Sequence, residues 1–170
     1  MTDIIRAMNP AAALTTEDAA RAAAKVSAVG MVIGAINQAV GGWYASTPAA
    51  SEGAARVIED LTGRAPDAAQ LASQVQMGLY ITVALVALHL ILAAVQWRKP
   101  NVALPILFLV LVVWGLGGAV LALTTPVFSG GQPTWLTAFT LVAMLIAAVL
   151  HISGIRGASA LARFRAAQAY

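Results

Sequence analysis

Two long uncharged runs, residues 77–95 and 102–123, constrain the fold of this chain more than any other feature. Each has about the 20 residues that an α-helix needs to cross the roughly 30 Å hydrocarbon core of a bilayer. The segment between them is so short that the second helix must run antiparallel to the first. It also contains Trp97, Arg98 and Lys99, residues typical of a cytoplasmic interfacial loop. The sequence therefore predicts a transmembrane hairpin.

The composition indicates a membrane protein and gives no sign of an enzyme. Of the 170 residues, 60% are hydrophobic and only 10% are charged, whereas soluble domains carry about 25% charged residues. The chain has no cysteine, which excludes disulfides, thiolate catalysis and cysteine-based metal sites. No carboxylate falls in any apolar run, so a proton-coupled exporter would lack its acid. We predict a non-enzymatic protein without a metal site.

Two further apolar runs complete a predicted all-α integral membrane protein, a bundle of four transmembrane helices in a single membrane domain over residues 1–170. Eight Lys and Arg residues fall in the two tails and the hairpin turn, two in the 45–65 loop and none in the 124–134 loop. This distribution predicts cytoplasmic termini in a multi-pass protein of a bacterial inner (plasma) membrane. Anionic lipids account for the basic flanks, so no nucleic-acid partner is expected. The predicted segments are an N-tail at 1–25, span 1 at 26–44, an extracytoplasmic helical hairpin at 45–76, span 2 at 77–97, span 3 at 102–123, span 4 at 135–155 and a basic C-tail at 156–170.

Capping residues predict where helices begin and end outside the apolar runs. Thr15 is predicted to cap the helix that leads into span 1. A short amphipathic extramembrane helix is predicted with Thr47 as its cap, Pro48 at its first position and Gly63 just past its end. The helix of span 2 is predicted to begin early, at Asp67, and to extend about 15 Å outside the bilayer.

Both tails carry apolar residues next to charged ones. Ile4, Ile5 and Met8 are predicted to form one helical turn on the membrane surface, and Leu161 and Phe164 are predicted to insert into the interface at the other end. Amphipathic tails of this kind suit a protein that meets a membrane surface or a partner subunit.

Small residues in the first span predict close helix packing. Gly30 and Gly34 form a GxxxG motif, a spacing that lets a second helix backbone approach. Packing within the chain, a homodimer seam and a partner groove all remain open for this stripe. Spacing by four residues places the whole stripe on one face: Gly30, Gly34, Gln38 and Gly42.

Span 3 and the middle of span 1 add polar and small residues. Asn37 and Gln38 lie near the predicted middle of the membrane, where an unpaired amide is costly. Trp114 of span 3 lies at a similar predicted depth and is a candidate partner for these amides. Gly115 and Gly118 begin two small-xxx-small pairs and are predicted to pack against another helix.

His89 and His151 are the only ionisable residues inside the apolar runs. A histidine pair on two helices of a four-helix bundle is the arrangement that holds a b-type haem. Counted from the basic residues that flank the spans, however, their depths differ by about 6 Å, one helical turn. The competing interpretation is a pair of neutral imidazoles that bond to neighbouring helices.

Three functional hypotheses follow from these features. The leading one is a non-enzymatic accessory, assembly or scaffold subunit that packs into a larger membrane complex or a homo-oligomer. Its partners would be the lipid bilayer, other membrane subunits or copies of itself. One alternative is an electron carrier that binds haem b through His89 and His151. The other is a carrier of a small solute or lipid, lined by Asn37, Gln38 and Trp114.

Overall fold

The structure, a computed structural model, describes residues 2–125 and 131–168, with side chains from Ile4 onward. This part of the chain is all-helical and contains no strand. Four of its helices are long and apolar enough to cross a membrane: α2, α4, α5 and α6. The prediction of an all-α chain with four candidate membrane helices is thus confirmed. The helices are α1 (Thr2–Met8), α2 (Glu17–Ala45), α3 (Pro48–Thr62), α4 (Ala68–Arg98), α5 (Ala103–Thr124) and α6 (Thr134–Ala167).

Helix α2 is capped one residue later than the sequence predicts. The side chain of Thr16, and not that of Thr15, accepts a hydrogen bond from the backbone N–H of Ala19 at 3.2 Å. This register places Glu17 and Asp18 in the first turn, where the helix dipole favours negative charge. The choice of Thr15 was therefore wrong by one position.

The predicted limits of α3 and the start of α4 are confirmed. Thr47 accepts a hydrogen bond from the N–H of Ala50, Pro48 is the first helical residue, and Gly63 ends α3 with a φ of 69°. A positive φ at this position suits glycine because it has no Cβ. Asp67 caps α4 by accepting from the second and third N–H groups after it.

Helix α2 is the centre of the packing. It lies against α4 on one side and α6 on the other, and α5 packs against α6. Although a short turn joins α4 to α5, these two helices do not pack closely along their length. The order of neighbours is therefore α4, α2, α6, α5, with a gap between the first and the last.

The closest helix contact joins α2 to α6 through glycine. An ideal Cβ on Gly157 would lie 2.5 Å from the carbonyl carbon of Ala23, and one on Gly154 would lie 2.5 Å from the Cβ of Ser27. At Gly157 the two backbones themselves meet, which only residues without a side chain allow. The sequence analysis did not single out Gly154 or Gly157.

The C-terminal residues extend α6. Leu161 is 1% exposed and packs with Ala20 of α2, and Phe164, which is partly buried, lies against the same cluster. The prediction that Leu161 inserts into the membrane interface was wrong because the early turns of α2 provide an apolar protein surface beside it, whereas the same expectation for Phe164 stays a prediction. Helix α1 is held at the same end, where the hydroxyl of Ser153 donates to the carbonyl oxygen of Met8 at 3.0 Å.

A buried glutamine connects three parts of the fold. The side-chain amide of Gln96 donates to the carbonyl oxygens of Ala24 in α2 (3.0 Å) and Asn101 in the α4–α5 turn (3.1 Å). Its oxygen accepts from the N–H of Asn101 at 3.3 Å. In turn, the Asn101 side chain accepts from the N–H of Leu104 and so caps the start of α5. Gln96 is fully buried, and its hydrogen bonds fix the α4–α5 turn against α2.

Candidate functional site: a cavity between the four long helices

The four long helices enclose a cavity of about 340 Å³ that opens on one side. Most of its lining is apolar, and each of α2, α4, α5 and α6 contributes residues. The cavity brings together eight residues that the sequence analysis singled out for separate reasons: Gly30, Gly34, Asn37, Gln38, His89, Trp114, Gly115 and His151.

His89 and His151 reach this cavity from different helices, α4 and α6, and the ring of Phe108 from α5 contacts both. The ring centroids of Phe108 and His89 are 5.0 Å apart with the rings edge to face. Those of Phe108 and His151 are 5.7 Å apart with the rings nearly parallel. Phe108 is buried and was not a predicted site residue. It completes an aromatic cluster of two imidazoles and one phenyl ring.

The glycine stripe of α2 provides room for the two histidines. An ideal Cβ on Gly30 would lie 3.2 Å from Nε2 of His151, and one on Gly34 would lie 3.2 Å from Nε2 of His89. Two turns further along, Gly42 lies against Thr82 of α4. The contacts of this stripe are thus made within the chain, by side chains of α4 and α6.

Three polar atoms of residues that line the cavity have no hydrogen-bond partner in the described part of the chain. Nδ1 of His89 is 2.8 Å from the carbonyl oxygen of Leu85, so Nε2 of that ring is left for another partner. His151 is 1% exposed, and its Nδ1 has no partner in residues 2–125 and 131–168. The same holds for the side-chain oxygen of Asn37. Buried polar atoms normally form hydrogen bonds, so two without partners mark an unusual place.

Trp114 does not pair with the amides of α2, as the sequence had suggested. Its side chain is 84% exposed on the outer surface of α5, and no hydrogen bond joins it to Asn37. The rotation of α5 explains the difference, since Gly115 faces Met144 of α6 and thereby turns the preceding residue outward. A Cβ on Gly118 would meet nothing within 4 Å in the described part of the chain, so Gly118 packs against no helix there.

The side chains of this cavity are of kinds that can bind a small molecule. Two imidazoles, a phenyl ring and an amide can orient such a molecule through hydrogen bonds and stacking. No group of three or more metal-ligating side chains occurs in the ranges that the structure describes. Among the described residues that line the cavity there is no carboxylate.

Comparison with known proteins finds no match: no family model, no curated protein and no solved structure is similar to this chain. The geometry of the cavity is therefore what supports a function for this chain.

Proposed function

We propose that this chain is a membrane-embedded binding protein, and that it holds a small lipid-soluble molecule between its four long helices. The observation that carries the proposal is the pair of buried atoms without partners, Nδ1 of His151 and the side-chain oxygen of Asn37, at one cavity. Leaving such a group unpaired costs about 1–3 kcal/mol. A bound ligand that supplies hydrogen bonds would remove that cost.

The route of entry in this proposal is lateral, from the lipid. Leu111 and Trp114 of α5 both line the cavity and are both largely exposed on the outer surface. The cavity therefore reaches the surface at α5, on the side where α4 and α5 do not pack closely. A lipid-soluble molecule could enter there without crossing an aqueous phase.

A cavity-filling variant tests the proposal. Val112 of α5 lines the cavity, and Val120, two turns further along the same helix, is exposed and does not line this cavity. We expect native mass spectrometry of protein extracted from its own membranes to show a retained small molecule on the wild type and on Val120→Phe. The Val112→Phe variant should lose it, because the added ring occupies the same space. The same retained mass on all three proteins, or none on the wild type, would contradict the proposal.

Haem b is a second candidate, favoured by one observation. The carbonyl oxygen of Leu85 holds His89 through Nδ1, as backbone carbonyls hold many metal-ligating histidines. A second observation counts against haem. The ring of His151 lies at Gly30 and the ring of His89 at Gly34, and these two glycines are about 6 Å apart along α2, so the two imidazoles are poorly placed to ligate one iron. We expect no Soret band from the purified protein. A Soret band lost in both His89→Leu and His151→Leu would establish haem instead.

A third proposal is an accessory subunit of a larger complex, or a homo-oligomer. Its best support in the sequence was the glycine stripe of α2, and Gly30, Gly34 and Gly42 contact the chain's own His151, His89 and Thr82. Binding a ligand and joining a complex are compatible, however, and the mass spectra described above would also reveal a partner subunit.

We also propose a four-helix bundle with both termini in the cytoplasm, since the Lys and Arg distribution favours that orientation. The chain lacks cysteine, so cysteines introduced one at a time can report this orientation. Glu59→Cys, on the exposed side of α3, should react with an impermeant thiol reagent in intact cells. Ser159→Cys, also exposed, should react only after the cells are opened. The reverse pattern would place the termini outside.

A further inference from the structure

We infer that the molecule bound in the cavity has a flat ring that bears hydroxyl groups and an apolar chain attached to that ring, the chemistry of a reduced quinone (a quinol). This inference rests on the proposed function and specifies its ligand. It follows from three observations: the tautomer of His89, the aromatic wall of the cavity and the groove that adjoins it.

The hydrogen bond of His89 determines what its free nitrogen can do. The carbonyl oxygen of Leu85 can only accept, so the 2.8 Å bond requires the proton on Nδ1 of His89. In a neutral imidazole, Nε2 is then an acceptor without a proton. The unpartnered oxygen of Asn37 is an acceptor as well. No hydrogen bond in the described chain assigns the role of Nδ1 of His151, so the two acceptors that can be assigned favour a ligand that donates, and a quinol hydroxyl donates where a quinone carbonyl cannot.

The shape of the cavity suits a ring. Phe108 is 4% exposed and is covered by both imidazoles, so the more open rings that line the cavity, those of His89 and Trp114, offer the flat aromatic surfaces to a ligand. Aromatic rings stack on such surfaces in offset or edge-to-face arrangements. A volume of about 340 Å³ lies at the lower end of ordinary ligand pockets, which matches one substituted ring and leaves a long chain outside.

A groove on the outer surface of α5 provides the place for that chain. It has a volume of about 660 Å³, is almost entirely apolar and shares Trp114 with the cavity. Gly117 and Gly118 form its floor, and a Cβ on either would meet nothing within 4 Å in the described chain. Val110, Val113 and Leu121 complete its sides. An alkyl or isoprenoid chain leaving the cavity at Trp114 would follow this groove along α5.

Binding to the purified full chain tests this inference with three probes. They are a decyl-substituted benzoquinol kept reduced without oxygen, the matching benzoquinone, and decylbenzene, which has the ring and chain but no oxygen. We expect the quinol to bind about tenfold more tightly than the quinone, the difference expected for a buried hydrogen bond. Decylbenzene should bind more weakly than the quinol.

Variants of His89 test whether its acceptor nitrogen causes the tighter binding of the quinol. His89→Phe keeps a flat ring but removes the acceptor, so quinol and quinone should bind equally; His89→Gln retains an acceptor and should keep part of the preference. If His89→Phe does not fold, Asn37→Leu removes the other acceptor and should reduce quinol binding several-fold. Equal binding of quinol and quinone to the wild type would overturn the inference. A retained mass in native spectra without quinol binding would overturn it too, yet leave the proposed function standing.

Discussion

Replacing Gly157 by alanine is expected to destabilise the protein strongly. A Cβ at this position would meet the backbone of α2 at Ala23 and Ala24, and a backbone cannot move aside as a side chain can. Overpacking of this kind costs about 1–3 kcal/mol.

The measurement is thermal unfolding in detergent, followed by circular dichroism. Gly117→Ala is the matched control, because a Cβ there meets nothing within 4 Å in the described chain and alanine is the better helix former by about 0.5–1 kcal/mol. The control should therefore unfold at the same temperature or higher. Equal unfolding temperatures for the two variants would show that α2 and α6 are not in backbone contact at Gly157.

The length and charge of the apolar runs were sufficient to predict the number of candidate membrane helices, because a bilayer sets the length of such a helix. Local hydrogen bonding likewise predicted α3, whose caps Thr47 and Gly63 act within a few residues of themselves. The cap of α2 was predicted at Thr15 and lies at Thr16, because neighbouring threonines offer identical hydroxyl groups and the sequence pattern does not distinguish them.

The rotation of each helix about its axis could not be predicted in the same way. An almost uniformly apolar helix such as α5 has no polar face to show which side meets protein. Trp114 was therefore assigned inward, whereas it is 84% exposed. The C-terminal residue Leu161 was assigned to the membrane interface for a related reason: the sequence does not reveal that α2 and α6 extend side by side beyond the apolar runs.

The residues of the candidate site could be predicted from the sequence, but the fact that they lie at one cavity could not. Histidines and amides in apolar runs are conspicuous because they are expensive there, so His89, His151 and Asn37 were found. That they face one cavity depends on the packing of three helices, which spacing within one helix does not specify. No pattern in the sequence links Gly34 with His89, a pair 55 positions apart that meet in the structure.

The last prediction concerns Gln96, the buried residue that the sequence analysis overlooked because it ends an apolar run like an ordinary boundary residue. Gln96→Leu keeps the approximate volume and removes all three hydrogen bonds to Ala24 and Asn101. The carbonyl of Ala24 lies inside α2 and retains its helical bond. The N–H and carbonyl of Asn101 lose their Gln96 partners, at about 1–3 kcal/mol for each group that remains buried.

We therefore expect Gln96→Leu to lower the unfolding temperature clearly, while Gln74→Leu, on the exposed side of the same helix, should leave it nearly unchanged. A double-mutant cycle with Asn101→Ala keeps the backbone groups that Gln96 binds and removes only the side-chain cap on Leu104. If Gln96 holds the turn in the conformation that lets Asn101 cap α5, the two substitutions should be non-additive by about 0.5–3 kcal/mol, as for residues in one hydrogen-bond network. Additive effects would mean that the cap of Asn101 forms independently of the bonds that Gln96 makes to the turn.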